Sequence, residues 1–325
     1  MSINVLPFEQ PILELGKRIR ELEDFQASRG VDLSASIREL RSRQEQLARE
    51  IYANLTPWQR VQLARHLNRP TTLDLAADIL EGFVELHGDR LFADDKALVC
   101  GFGKLDSQTV LLVGHQKGRD TAERLERNWA LAHAEGYRKA LHKMQLAARF
   151  NIPILTFIDT AGAYPGIGAE ERGVAHAIAL NLHEMSRLPV PIVCTVIGEG
   201  GSGGALGIGV GDRLLMLQNT YYSVITPEGC AAILWKTAEK KEDAARALKL
   251  TPQELLELGI VDQVVPEPVC GAHNDRENTS KILKQYLIQN LNELLHIPVD
   301  ILLERRYEKY RRIGFFEESI ESADL

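Results

Sequence analysis

Apolar residues in the first 55 positions recur at spacings of three and four. Ile12, Leu15, Ile19 and Leu22 form one seam; Ile37, Leu40, Leu47 and Ile51 form another, with Gln44 at one seam position. That period predicts two amphipathic helices. Gly30 and Asp32 separate them, and Ser34 or Ser36 is placed to cap the second. A hairpin with one narrow seam is marginal alone, so it either packs on its own domain or embraces another subunit. Further helix is expected over 58–67 and 72–85.

From about residue 96 strands and helices alternate. Apolar runs at 97–105 and 109–114, parted by a short polar turn, predict a β-hairpin. A helical period covers 135–150. A buried strand at 153–159 leads through Thr160-Ala-Gly-Ala-Tyr-Pro-Gly166 into a helix at 169–186. A second strand, 190–197, runs into five glycines and a short helix. Strands at 213–217, 221–225 and 260–265 and helices at 228–236 and 251–258 come next. Residues 266–280 read as loop, and helices at 281–295 and 299–312 finish the chain. This is a layered α/β pattern, whose sites lie where strands end and helices begin.

The net charge of −7 argues against nucleic acid as the main partner. The basic run Arg305-Arg306-Tyr-Glu-Lys309-Tyr-Arg311-Arg312 reads as a solvated helix face or part of an interface, and Glu317, Glu318, Glu321 and Asp324 come after it. Cys100, Cys194, Cys230 and Cys270 have no zinc-knuckle spacing and read as reduced cysteines, so no metal site is expected. Glu9, Glu14, Lys17 and Arg18 break any signal-peptide core. No apolar run approaches the roughly 20 residues of a membrane span. A soluble, cytoplasmic protein is expected.

Three chemistries compete for the glycine turn. Gly200-Gly-Ser-Gly-Gly204 satisfies the G-x-S-x-G elbow, with Ser202 as nucleophile. Gly198-Glu-Gly-Gly-Ser-Gly203 satisfies the G-x-G-x-x-G fingerprint. The backbone alone is also a candidate oxyanion hole. The elbow needs a downstream histidine, but His273 stands in a polar loop and His296 near a helix end. The fingerprint needs an acid at the end of the next strand, and 221–225 carries none. The second loop, ending in Gly162-Ala-Tyr-Pro-Gly166, would lie beside the first, and two such turns suit negative charge developing on a bound oxygen.

With those loops the chain resembles the carboxyltransferase alpha subunit of the multi-subunit bacterial and plastid acetyl-CoA carboxylase. The resemblance rests on Gly114-His-Gln-Lys-Gly-Arg119, Glu135-Gly-Tyr-Arg-Lys139, Phe157-Ile-Asp-Thr160, Ala163-Tyr-Pro-Gly166, Ala169-Glu-Glu-Arg-Gly173, Cys194-Thr-Val-Ile-Gly-Glu-Gly-Gly-Ser-Gly-Gly-Ala-Leu206 and Thr226-Pro-Glu-Gly-Cys230. Ala161 and Ala134 stand where that family usually has proline.

The resemblance implies a crotonase/Clp-protease-like α/β spiral of stacked β-β-α units, over 91–325, with an N-terminal helical extension over 1–90. It implies transfer of a carboxyl group from carboxybiotin to acetyl-CoA, with no cofactor bound in this chain. Gly203 and Gly204 would offer backbone N–H groups to the biotin oxyanion. Gly200, Gly201, Ser202, Ala205, Gly162, Ala163, Tyr164 and Gly166 would line the substrate site. Implied partners are a zinc-ribbon beta subunit in an α2β2 heterotetramer, a biotin carboxyl carrier protein and a biotin carboxylase, with zinc and ATP used on those other chains. Tyr164 is open to packing on biotin or anchoring its own turn. His115, Lys117 and Arg119 are open to contacting coenzyme A phosphates, the partner or solvent. A serine hydrolase or Clp-type peptidase using Ser202, and a non-catalytic partner-binding subunit, remain as alternatives.

Overall fold

The computed structural model describes residues 5–314. The chain opens with helix α1 (Gln10–Arg29) and helix α2 (Ser34–Ala53), which run back on one another. Gly30 ends α1 in the left-handed region. Neither Ser34 nor Ser36 caps α2; instead Asp32 Oδ1 accepts the Ser34 N–H at 3.0 Å. Gln44 earns its seam position by donating to the Ile12 carbonyl at 2.9 Å. The base of the hairpin packs on its own domain. Ile12, Ala48, Tyr52 and Leu55 cluster with Leu63, and Tyr52 Oη lies 2.5 Å from Glu9 Oε1 and 2.9 Å from the Cys270 carbonyl.

Helices α3 (Pro57–Ala64) and α4 (Thr72–Ile79) lead into the sheet. The expected helix over 72–85 ends at Ile79, and Glu81–Glu85 is strand β1. It forms a sheet edge that packs only Phe83 on the core, and Gly82, with a φ of 60°, breaks its register, so no two-residue apolar alternation shows. Strands β2 (Leu98–Leu105) and β3 (Gln108–His115) form the expected hairpin. Then come α5 (Thr121–Glu126), α6 (Ala134–Arg149), β4 (Ile154–Thr160), α7 (Ile167–Glu171), α8 (Val174–Met185), β5 (Ile192–Gly201) and α9 (Ser202–Leu206). The single helix expected over 169–186 breaks at Gly173, whose φ of 75° is left-handed. Strands β6 (Arg213–Leu217) and β7 (Tyr221–Ser223), helices α10 (Pro227–Trp235), α11 (Lys241–Ala247) and α12 (Pro252–Glu257), and strand β8 (Gln263–Val265) complete the core. Helix α13 (Arg276–Leu295) starts five residues before its expected position, because Asp275 caps it through the Asn278 N–H. Helix α14 (Val299–Arg311) is the last element among the described residues.

The strand order is β1-β2-β3-β4-β5-β6-β8, with β7 pairing the end of β5. Strands β1, β2 and β3 are antiparallel; from β3 onward neighbours are parallel. The parallel strands read as unbroken apolar runs because helices cover both faces. Ile154, Ile158, Cys194, Val196, Leu214 and Met216 face α6 and α8; Leu155, Phe157, Val193, Ile197, Leu215 and Leu217 face α4 and α13.

The basic run on α14 is only partly a solvated face. Arg306 is buried and pins the helix to the sheet, reaching Asp212 at 2.8 and 2.7 Å and the carbonyls of Met185, Leu188 and Val190. The acidic residues Glu317, Glu318, Glu321 and Asp324 lie outside the described residues. Among the described residues no helix is long and apolar enough to cross a membrane.

Candidate active site

The two glycine turns meet at the ends of the adjacent parallel strands β4 and β5. Ile158 pairs with Val196 and Thr160 with Gly200, so β5 advances four residues while β4 advances two. Such a bulge bends its strand and re-aims the residues beyond it. Here it carries the glycine run across the end of β4.

Close backbone approach explains two of the glycines. A Cβ on Gly201 would stand 2.2 Å from the Ala161 oxygen, and one on Gly204 would strike the backbone of Gly162 and Ala163. Gly203 differs: its missing side chain faces open space, with Ile178 Cδ1 the nearest atom at 4.0 Å. Helix α9 is braced from below. Tyr137 Oη donates to the Gly204 carbonyl at 3.3 Å, and Asn181 Nδ2 donates to the carbonyls of Gly207 and Tyr137 at 2.9 and 3.1 Å.

The loop after β4 is tied in the same way. Thr160 Oγ1 lies 2.6 Å from the Ala130 carbonyl and accepts the Gly162 N–H at 3.1 Å. These bonds hold the turn although alanine stands at 161. Tyr164 anchors its own turn: its N–H donates to the Ala132 carbonyl, its ring lies 4.3 Å from that of His133, and it folds over Gly166. Ala163 packs against the main core, and Ala205 is buried within α9.

An open cleft of about 340 Å³ lies at the mouth of the turn, lined by Ser202, Gly203, Leu206, Tyr222, Val224 and Leu255 among others. No histidine, carboxylate or lysine lines it. Ser202 is exposed, has a φ of 55°, and its hydroxyl has no hydrogen-bond partner among the described residues. The histidines the elbow would need are elsewhere. His273 bonds Glu9 at the base of the hairpin, and His296 ends α13. The elbow is therefore present in backbone shape and lacks its base.

Of the charged motif after β3, only Arg119 is exposed, and it pairs with Asp74. His115 is fully buried, and burial, then the charge of Lys117, pushes its pKa down to about 3. Lys117 is an inward ion-pair partner of Asp159 and Glu199. These two residues are thus not placed to meet coenzyme A phosphates. In the acidic motif, Arg172 forms a two-pronged pair with Glu135 at 3.0 Å, and Glu170 and Glu171 face solvent.

A second cluster, Glu9, His66 and His273, brings three metal-type donors within 4.8 Å of one another. The Glu9 carboxylate already accepts from Tyr52, His273 and the Leu6 N–H, and His66 Nδ1 accepts the Asn68 N–H. The cluster is a hydrogen-bonded clasp for the hairpin.

A mixed sheet with helices on both faces, and backbone turns at its strand ends, is the α/β architecture of the crotonase-like fold. Solved structures agree on the fold. The 12S transcarboxylase structure with methylmalonyl-coenzyme A bound superposes with a TM-score of 0.52 at 20% identity, covering 66% of this chain and 41% of that one. A Pseudomonas malonate decarboxylase hetero-tetramer in complex with coenzyme A gives 0.54 at 19% identity, covering 65% and 84%.

Sequence comparison narrows the class. The family described as "Acetyl co-enzyme A carboxylase carboxyltransferase-like" matches residues 5–314. The acetyl-coenzyme A carboxylase carboxyl transferase subunit alpha of Thermus thermophilus is 54% identical over 313 residues, 96% of this chain and 99% of that protein. Its counterpart in Geobacter metallireducens is 53% identical, with 96% and 98% covered. The chain belongs to this carboxyltransferase family.

Proposed function

We propose that the chain is the carboxyltransferase alpha subunit of an acetyl-CoA carboxylase. It moves the carboxyl group of carboxybiotin to acetyl-CoA, giving malonyl-CoA for fatty acid biosynthesis. The observation that carries the reading is the backbone turn at Gly203, open to an apolar cleft that holds no side-chain base.

The chemistry suits that surrounding. When the N–CO2 bond of carboxybiotin breaks, CO2 leaves and the electron pair stays on the ureido group, with negative charge on its oxygen. The N–H groups of Gly203 and Gly204, at the start of α9 where no intrahelical acceptor is available, are assigned to that oxygen. The biotin nitrogen then takes a proton from the acetyl methyl, and the enolate carbon attacks CO2. A second oxyanion hole, for the enolate, is assigned to the beta subunit. Gly200, Gly201, Ser202 and Ala205 shape the turn. Gly162, Ala163, Tyr164 and Gly166 form the wall beside it.

The names of the relatives, "subunit alpha", support a multi-subunit enzyme. The partners in this reading are a zinc-ribbon beta subunit in an α2β2 assembly, a biotin carboxyl carrier protein, and a biotin carboxylase that consumes ATP in the cytoplasm. Exposed apolar side chains at the cleft mouth (Leu206, Val224) and on α10 (Ile233, Leu234) support a protein partner there. The test is to purify the chain with its beta partner and measure malonyl-CoA formation from acetyl-CoA and carboxylated biocytin. Transfer by the complex and none by either chain alone is expected. A pure complex that transfers nothing contradicts the reading.

A further inference from the structure

Beneath the glycine turn lies a group of charges that the transfer chemistry does not use. Strands β3, β4 and β5 run parallel and side by side, and each presents one charged residue at its end. Lys117 lies two residues beyond β3; Asp159 and Glu199 lie within the last residues of β4 and β5. Lys117 Nζ sits 2.7 Å from Asp159 Oδ1 and 2.6 Å from Glu199 Oε1. The lysine side chain is 18% exposed and both carboxylates 8%.

The same atoms hold the bulge in β5. Its extra residues have no partners on β4, although Glu199 pairs with Tyr221 of β7, so polar groups on the β4 side need others. Asp159 Oδ1 accepts the Glu199 N–H at 2.8 Å, and Arg69 Nε donates to the Ile197 carbonyl at 2.5 Å while pairing with Glu267. Glu199 Oε2 takes Arg65 Nε at 2.7 Å and Tyr221 Oη at 2.6 Å, and Arg65 continues to Glu228. The neutral His115 is the remaining titratable neighbour. One ammonium therefore keeps two buried carboxylates together, and one of those carboxylates fixes the amide four residues before Gly203.

We infer that Lys117 is a positioning residue for carboxyl transfer: through Asp159 and the Glu199 amide it sets where the Gly203–Gly204 turn stands over the end of β4. Burial opposes its charge, but Asp159 and Glu199 outweigh that and hold its pKa above the ordinary lysine range. Glu199, which burial pushes up, is drawn down to about 2 by Lys117 and Arg65. The inference rests on the proposed carboxyl transfer.

The experiment uses the purified complex with the beta subunit, acetyl-CoA and carboxylated biocytin. An inert wild type overturns the proposed function and this inference with it. With an active wild type, Lys117→Met is expected to lower kcat by about 10–100-fold, as for a turn misplaced by about an ångström, with KM for acetyl-CoA little changed. Without Lys117, Asp159 faces Glu199 with Arg65 on Glu199 as the one nearby cation left to the pair, and two carboxylates so placed take up a shared proton as the pH falls. The variant-to-wild-type kcat ratio should therefore rise about threefold or more between pH 8 and pH 6, because a shared proton replaces the ammonium as the tie. Lys117→Arg should keep more activity than Lys117→Met. If Lys117→Met does not fold, Lys117→Met/Asp159→Asn removes the repulsion; it should fold, keep the lowered kcat and lose the pH dependence. Wild-type kcat in either methionine variant, or a loss in Lys117→Met that is equal at every pH, overturns the inference while leaving the proposed function intact.

Discussion

Gly204 lies against Gly162 so closely that a methyl group added to Gly204 would stand 2.3 Å from the Gly162 carbonyl carbon. The two glycine turns are thus a single packed unit, with Gly204 inside it and Gly203 on its open side. Gly204→Ala should lower the melting temperature and the transfer rate together, since backbone must move to admit the methyl. Gly203→Ala meets no such contact and should leave the melting temperature within a degree or two. Equal thermal shifts in the two variants would show that the turns are not packed in this way.

Ser202 has a left-handed φ of 55°, which costs a non-glycine residue about 1–2 kcal/mol. Ser202→Gly should therefore preserve or raise stability in thermal unfolding, and Ser202→Ala should retain a measurable fraction of transfer. A fluorophosphonate probe should leave the wild type unlabelled. Stoichiometric labelling at Ser202 would restore the hydrolase reading.

Ala134 opens α6, and His133 before it has an extended backbone (φ −81°, ψ 177°). Proline favours the first helical position and an extended predecessor. Ala134→Pro should stabilise the chain by about 0.4–1 kcal/mol, read as a higher midpoint in denaturant. A lower midpoint would mean that the buried alanine site has no room for the ring.

The burial of His115 sets an acid limit. Its folded pKa, about 3, lies below its ordinary value of 6.5, so below pH 6.5 the unfolded chain binds a proton that the native chain does not. Stability from this group is full above pH 6.5 and is lost as the pH falls toward 3. One proton corresponds to a slope of about 1.4 kcal/mol per pH unit. His115→Phe should flatten the stability–pH curve between pH 6 and 4 by about one proton's worth. An unchanged slope would show that His115 is not held neutral.

Much of this was legible in the sequence, for identifiable reasons. The buried parallel strands announce themselves as unbroken apolar runs, and the glycine turns as strand endings that cannot continue. That the turns are neighbours followed from the alternation of strand and helix. Strand β1 escaped because it is a short edge that packs one apolar side chain, Phe83, on the core, and the left-handed Gly82 breaks its register, so no two-residue alternation forms. Lys117, Asp159 and Glu199 escaped as a group because they meet only after three strands align. A signal was present all the same, since Asp159 and Glu199 each stand where an apolar strand runs out. Tyr137 and Asn181 sit on helical faces like any amphipathic residue, and only the packing shows that they brace α9.

The central claim is that a backbone turn, and no side chain, drives carboxyl transfer. Gly203→Val tests it most directly, because the valine side chain enters the cleft without striking the neighbouring loop. In a complex that still contains the beta subunit and melts like the wild type, transfer from carboxylated biocytin to acetyl-CoA should fall by about two to three orders of magnitude. Near-normal turnover by that intact complex would contradict the account.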